Sequence, residues 1–145
     1  MAAAQIRTWG LIGHGNIGRE IQRQIGQPHV AARLGLQPQP DIIVEATGIT
    51  HADGQVDTTT PFAETALPDV LFLAIPSGGD GTLARTYVST ILAQGKMAVT
   101  AEKGALSHFF SDLKSASDDF TRFGITATVG GGTRMLRVAE QYNID

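Results

Sequence analysis

Residues 8–25 of the chain are TWGLIGHGNIGREIQRQI, an apolar run that passes through closely spaced glycines into an amphipathic segment. The run from 8 to 12 predicts a short buried strand. Isoleucine then recurs at every fourth position from 17 to 25, which is typical of the apolar face of a helix over residues 16–25. A strand, a glycine turn and a helix in this order predict the opening unit of a Rossmann-type, doubly wound α/β fold.

The residues Gly13-His14-Gly15-Asn16-Ile17-Gly18 have the spacing G-x-G-x-x-G. Between a strand and a helix, this spacing is typical of a loop that holds the pyrophosphate of a dinucleotide. The first glycine permits a tight turn, the second lets the backbone approach the anion, and the third allows close packing of helix on strand. A plain tight turn is the alternative, and His14 is interpreted as a loop residue. We predict cofactor contacts from Gly13, Gly15, Asn16, Ile17 and Gly18.

The rest of the chain alternates between short apolar runs and segments with helical periodicity. Strands are predicted at residues 41–46, 70–75, 97–100 and 125–129, and helices at 82–94 and 106–120. One helical turn is predicted near 30–34, a short helix at 61–66, and a loop over the polar residues 47–60. Strands that are apolar throughout, alternating with helices, predict a mainly parallel sheet with helices on both faces.

Length and composition limit the class of protein. The 145 residues, 42% of them hydrophobic, fit a single domain over 1–145. The net charge of −3 argues against nucleic acid or an anionic membrane as the partner. The absence of cysteine excludes disulfides and thiolate metal sites, and the histidines have no spacing typical of metal ligands. No signal peptide or membrane span is expected, so the predicted location is cytoplasmic.

The choice between NAD and NADP depends on the end of the second strand. An acidic side chain there accepts from a ribose 2′-hydroxyl, whereas a nearby arginine indicates a 2′-phosphate. Glu45 lies near this end, and Thr47 is the alternative residue at the tip. Between Leu34 and Ala84 the sequence contains several acids and no lysine or arginine. We therefore predict that NAD binds in preference to NADP, unless Arg19 or Arg33 reaches a 2′-phosphate.

Two later segments, residues 98–106 (AVTAEKGAL) and 127–133 (ATVGGGT), together with the glycine loop, resemble homoserine dehydrogenase. That family has a V-T-A-N-K segment after a strand and an E-A-x-V-G-G-G-x-P segment at the end of its nucleotide-binding domain. The resemblance implies an NAD(P)-dependent oxidoreductase of amino-acid biosynthesis. Such an enzyme interconverts homoserine and aspartate 4-semialdehyde by hydride transfer to or from the nicotinamide.

The same resemblance implies roles for several residues of this chain. Lys103 matches the first of a lysine pair that handles the proton on the substrate oxygen, and burial beside a cofactor would lower the pKa of its amine. The alternative is an ordinary solvated loop lysine. Further cofactor contacts are expected from the strand ends and glycine turns, namely Ser77, Gly78, Thr100 and Gly131. The alternative is that the turn at 77–79 only reverses the chain and that the glycines at 130–132 form a flexible connection.

The chain also departs from the family pattern. Glu102 stands where the family usually has Asn, Thr126 where it has Glu, and Arg134 where it has Pro. The family's substrate domain is expected after Asp145, so an amino-acid substrate would need a further domain. Two alternatives stay open, a stand-alone module that senses NAD(H) and the cofactor domain of another amino-acid or aldehyde dehydrogenase. Self-association of the domain also stays open.

Overall fold

The computed structural model describes residues 5–76, 80–100, 104–118 and 121–125. The strands are β1 (Trp9–Ile12), β2 (Ile42–Glu45), β3 (Gly48–His51), β4 (Val56–Asp57), β5 (Val70–Leu73), β6 (Met97–Thr100) and β7 (Phe123–Ile125). The helices are α1 (Asn16–Ile25), α2 (Pro28–Leu34), α3 (Thr82–Ala93) and α4 (Gly104–Ala116), with a 3-10 turn at Phe62–Glu64.

The strands form one sheet in the order β4-β3-β2-β1-β5-β6-β7. β1 lies between β2 and β5 and is parallel to both, with Gly10 paired to Ile42 on one side and to Leu71 on the other. β6 and β7 continue the parallel part of the sheet, whereas β3 and β4 form an antiparallel edge. The predicted doubly wound, mainly parallel α/β fold is confirmed.

Each face of the sheet packs against its own helices, because successive strand side chains point to opposite faces. Trp9 and Leu11 of β1 share a buried cluster with Ile25 of α1 and Ala31 of α2. The opposite face packs against α3, and its buried residues include Ile12, Leu71, Leu73, Val88, Ile91 and Ala98. Helices therefore cover both faces, as predicted.

The prediction of a loop over residues 47–60 is wrong, because this stretch contains β3 and β4. The turn at 46–47 connects β2 directly to β3, with Glu45 paired to Gly48. Gly48 has a φ of +149°, and a Cβ there would lie 2.7 Å from the carbonyl oxygen of Asp57 on β4. The Asp57 carboxylate also accepts hydrogen bonds from the main-chain N–H groups of Thr59 and Thr60. Main-chain pairing and local polar contacts stabilise the edge formed by β3 and β4. The sequence therefore has no apolar periodicity there from which the two strands could be predicted.

Other boundaries differ from the sequence-based expectation. The single turn expected near residue 30 is the helix α2, which spans Pro28–Leu34 and is followed by Gly35 with a φ of +69°. The short helix expected over 61–66 is a 3-10 turn. α4 begins at Gly104 and ends at Ala116, with a kink at Phe109. β7 begins at Phe123, and residues 126–129 of the predicted last strand lie outside the described residues.

Within the described ranges, no helix has the length and apolar character needed to cross a bilayer. The same residues contain no group of three or more His, Asp or Glu side chains placed to bind a metal ion.

Candidate functional site

A cleft of about 960 Å³ opens at the carboxyl ends of β1, β2 and β5. The strand order reverses direction along the chain at β1, since β2 lies on one side of it and β5 on the other. In open α/β sheets this switch point is where ligands bind. The cleft is lined by residues 12–17, 44–46 and 74–76, together with Leu83 and Tyr87 from α3.

The glycine loop is held tightly against the neighbouring strands. The N–H of Gly13 donates to the carbonyl oxygen of Val44 at 2.8 Å, and the N–H of Ala74 donates to that of Ile12 at 2.7 Å. Gly13 has a φ of +92°, and a Cβ there would overlap the carbonyl oxygen of Ala74. A Cβ on Gly18 would overlap the carbonyl oxygen of Gly13. The first and third glycines are therefore required by the fold of the loop itself.

Gly15 differs from its two neighbours in the motif. It precedes α1 with a φ of −83°, which any residue can adopt. A Cβ at Gly15 would meet no atom of the described residues within 4 Å. The space in front of it is the open cleft.

The amino end of α1 points into this space without a local anion. No side chain caps the helix at Gly15, and its first turn contains no acidic residue. The first N–H groups of a helix have no acceptor within the helix, and they carry the positive end of its dipole. Asn16 and Ile17 line the cleft at this point, and Ile17 is 52% exposed. The loop and helix together offer main-chain donors to a phosphate group.

On the β2 side, the cleft is bounded by an acid. Glu45 is the last residue of β2, is exposed and lines the cleft together with Ala46. Thr47 is an exposed residue of the following turn and is not among the residues that line the cleft. No lysine or arginine is present among the described residues that line it. The electrostatic environment on this side is therefore negative.

The opposite wall is apolar and was not predicted as part of the site. Ile75 and Pro76 follow β5, and Leu83 and Tyr87 lie four positions apart on α3. Leu83 is 52% exposed. The Tyr87 ring packs edge-on against Phe62, with ring centroids 5.0 Å apart. The four-residue spacing of Leu83 and Tyr87 is visible in the sequence. The same spacing is typical of core residues, so it does not by itself identify the wall of a binding site.

The other predicted site residues are placed as follows. His14 lines the cleft, and its Nε2 lies 2.7 Å from Oε1 of Gln22. Thr100 is fully buried at the end of β6 and lines an adjoining groove instead of this cleft. The predicted residues Ser77, Gly78, Lys103 and Gly131 lie outside the described residues.

The fold and the position of the cleft define a Rossmann-type domain. No protein-family model matches the sequence, and a search of curated proteins found no match. The structure is similar to solved homoserine dehydrogenases. One from Thermoplasma acidophilum is 18% identical, with a TM-score of 0.67 over 94% of this chain and 49% of its own. A putative one from Archaeoglobus fulgidus is 20% identical, with a TM-score of 0.64 over 86% of this chain and 43% of its own.

A hyperthermophilic archaeal homoserine dehydrogenase in complex with NADPH is 18% identical, with a TM-score of 0.67 over 85% of this chain and 44% of its own. This chain therefore spans less than half the length of each of these enzymes. The resemblance to homoserine dehydrogenase that the sequence motifs indicate is thus confirmed for the fold.

Proposed function

We propose that this chain is the nicotinamide dinucleotide-binding domain of a homoserine dehydrogenase-like oxidoreductase. The observation that carries the proposal is the uncapped amino end of α1, which faces an open cleft across Gly15. The homoserine dehydrogenase complex with NADPH, which shares the fold, adds support. A bound nicotinamide would accept or donate the hydride of the oxidation or reduction.

The cleft residues supply groups that suit the different parts of a dinucleotide. The main-chain N–H groups at the start of α1 would bind the pyrophosphate. Glu45, at the end of β2, would accept a hydrogen bond from a ribose hydroxyl. Leu83 and Tyr87 supply an apolar wall of the kind that covers a large part of a bound ligand. A cleft of about 960 Å³ has room for a ligand of this size.

The preference for NAD over NADP is part of the proposal. A 2′-phosphate beside Glu45 would bring like charges together, and no cation among the described cleft residues would offset them. Arg19 and Arg33 do not line the cleft. The charge pattern along Leu34–Ala84 supports the same preference.

Lys103 is proposed as the residue that moves the proton on the substrate oxygen. Its support is the family motif and its place three residues after the end of β6 at Thr100. The carboxyl ends of β6 and β1 lie at the same edge of the sheet, since β6, β5 and β1 are parallel neighbours. A further domain would bind the amino-acid substrate and supply the second lysine.

Gly15→Val tests the dinucleotide site. The valine side chain would occupy the space in front of the α1 amino end, where the pyrophosphate is proposed to bind. We expect NADH affinity to fall by at least tenfold, about 1.4 kcal/mol, with an unchanged unfolding midpoint. Titration calorimetry measures the affinity, and circular dichroism measures the unfolding.

Gly13→Ala is the matched control for the fold. A Cβ at Gly13 would overlap the carbonyl oxygen of Ala74, and the φ of +92° adds strain. This variant is expected to lose roughly 2 kcal/mol or more of stability. Equal NADH affinity in folded Gly15→Val and wild-type protein would show that the dinucleotide does not bind at this loop.

A further inference from the structure

The imidazole ring of His14 gives the cleft a group that can change its charge. Among the described residues that line the cleft, His14 is the only one able to become a cation, because no lysine or arginine is present there. Consecutive Cα atoms are about 3.8 Å apart, so the ring is attached one residue before Gly15 and the amino end of α1. A positive charge on this ring would therefore lie close to an anion that binds at the helix end.

One nitrogen of this ring already has a partner on α1. Nε2 of His14 lies 2.7 Å from Oε1 of Gln22, in the second turn of the helix. An amide oxygen only accepts hydrogen bonds, so this contact requires Nε2 to carry hydrogen and to donate. The described residues provide no hydrogen-bond partner for Nδ1. In the neutral ring, Nδ1 then has a lone pair and no hydrogen.

The hydrogen on Nε2 determines what Nδ1 can do in the cleft. A lone pair on Nδ1 would repel a phosphate oxygen, whereas the imidazolium form has hydrogen on both nitrogens and donates from each. A nearby anion favours the charged form of a histidine, and histidines change charge between about pH 5 and pH 8. A phosphate group bound beside Gly15 would therefore draw one proton from the solvent onto Nδ1.

The other ionisable groups near the ring keep their charge around neutral pH. Glu45 from β2 and Tyr87 from α3 are the other titratable residues among the described lining of the cleft, and the end of β5 contributes none. On α1, Glu20 accepts hydrogen bonds from Arg23, and Arg19 does not line the cleft. Carboxylates, phenols and guanidinium groups ordinarily titrate well outside the range of about pH 6.5–8.5. Within that range, a change of charge in the described cleft comes from the imidazole.

We propose that His14 binds the pyrophosphate as an imidazolium and that Gln22 positions the ring for this contact. Nε2–H donates to Gln22, Nδ1–H donates to a phosphate oxygen, and the proton on Nδ1 comes from the solvent. Dinucleotide binding then takes up protons and becomes tighter as the pH falls through the range in which histidine titrates. The inference rests on the proposed function, because it adds a contact and a pH dependence to the same site.

Titration calorimetry with NADH, in buffers of different ionisation enthalpy, measures the proton uptake directly. NADH is the probe, because the 2′-phosphate of NADPH itself titrates near about pH 6. At about pH 7.5, we expect the wild-type chain to take up a fraction of one proton for each NADH bound. His14→Gln keeps a polar side chain that does not titrate. We expect this variant to lose the uptake and to bind NADH about tenfold more weakly at pH 6.5, with a smaller difference at pH 8.5.

His29→Gln is the matched control, because His29 is exposed on α2 and does not line the cleft. It should leave the proton uptake and the NADH affinity unchanged. Gln22→Glu tests the positioning role of Gln22. A carboxylate beside Nε2 would charge the ring before the cofactor binds, so we expect the uptake to fall well below that of the wild type. Uptake equal to that of the wild type would show that Gln22 does not position the ring.

The wild-type measurement separates the inference from the proposed function. NADH binding without proton uptake would overturn the role of His14 and leave the dinucleotide site in place. Uptake that persists in folded His14→Gln would assign the proton to another group and would also overturn it. No NADH binding by the folded wild-type chain would contradict the proposed function, and the inference with it. Circular dichroism shows whether each variant is folded.

Discussion

At the scale of single residues, the loop glycines differ in what a side chain would meet. Side chains at Gly13 and Gly18 would overlap main-chain oxygen atoms, so Gly13 lets the loop pack against Ala74 after β5 and Gly18 lets α1 pack against the loop. Gly15 faces open space and leaves the α1 amino end accessible. The loop's shape and its exposed donors therefore come from different glycines. A substitution at Gly15 separates binding from folding, whereas one at Gly13 or Gly18 does not.

Glu45→Gln tests the cofactor preference at a single charge. Removing the carboxylate would remove the repulsion of a 2′-phosphate and weaken a charged hydrogen bond to the ribose. We expect the ratio of NADP to NAD affinity to rise by roughly fivefold at low salt, about 1 kcal/mol, the upper range for an exposed charge pair. The rise should shrink in high salt because exposed charges are screened. Parallel calorimetric titrations with both cofactors measure the ratio.

Glu64→Gln is the control for this change. Glu64 is also an exposed acid of the cation-free stretch, but it lies in the 3-10 turn and does not line the cleft. It should leave the affinity ratio unchanged. Tighter binding of NADP than of NAD by the wild-type chain would show that a cation such as Arg19 or Arg33 reaches the 2′-phosphate.

At the scale of elements, one carboxylate ties together the starts of neighbouring strands. Asp69 accepts hydrogen bonds from the N–H of Thr8 at 3.0 Å and from its hydroxyl at 3.2 Å. The main-chain oxygen of Asp69 accepts from the N–H of Met97, at the start of β6. Lys96 Nζ lies 3.7 Å from the Asp69 carboxylate. These contacts fix the amino ends of β1, β5 and β6 relative to one another.

Asp69→Asn is expected to reduce stability in a pH-dependent way. The hydrogen bond from the Thr8 main chain is the first cause that lowers the pKa of Asp69, and nearby Lys96 and Arg7 add to it. The stabilisation is full above the unfolded-state value of about 3.9. It is lost as the pH falls from there through the lower folded-state pKa. The carboxylate is partly exposed, so we expect a loss of about 1 kcal/mol at pH 7 and little difference at pH 2.

Urea unfolding at both pH values measures this effect. Asp53→Asn, which changes an exposed acid in the turn between β3 and β4, is the control and should change stability little at either pH. An equal loss for Asp69→Asn at both pH values would show that shape, rather than charge, makes Asp69 important.

The elements that the sequence predicts well are those with strong apolar patterns. β1, α1, β5, α3 and β6 were all predicted within two residues of their bounds. β3 and β4 were missed because β4 has only two residues, Val56 and Asp57, and their pairing depends on main-chain contacts at Gly48. The length of α2 was underestimated, because its first residue, Pro28, follows a stretch that contains turn residues. Periodicity needs several residues, and short elements do not provide them.

At the scale of the whole molecule, the sheet order places the cleft. The switch point between β2 and β5 lies beside the glycine loop, so predicting the fold and the loop together also located the cleft where we propose that the pyrophosphate binds. The apolar wall of Leu83 and Tyr87 was not predicted, because their orientation depends on how α3 sits against β5. Thr100 was expected at the cofactor but is buried beside the adjoining groove.

The 145-residue chain by itself is expected to bind the cofactor without converting homoserine. Hydride transfer requires the reacting carbon to be held about 3–3.5 Å from the nicotinamide, and such positioning accounts for roughly 7–11 kcal/mol of the barrier. The described cleft has the open form of a surface on one domain, and the solved enzymes that share the fold are more than twice as long as the matched part. The assay follows absorbance of the reduced nicotinamide with homoserine and NAD or NADP.

Lys103→Ala separates proton transfer from cofactor binding. In a longer protein that joins this chain to a substrate domain, the lysine would act on the substrate oxygen and not on the dinucleotide. We therefore expect kcat to fall by at least 100-fold, in the range typical for loss of a general acid or base, with little change in cofactor affinity. Lys114→Ala, a change at the end of α4, is the control and should retain kcat. Robust turnover by the 145-residue chain alone would contradict the need for a second domain, and it would imply that another copy of the chain completes the site.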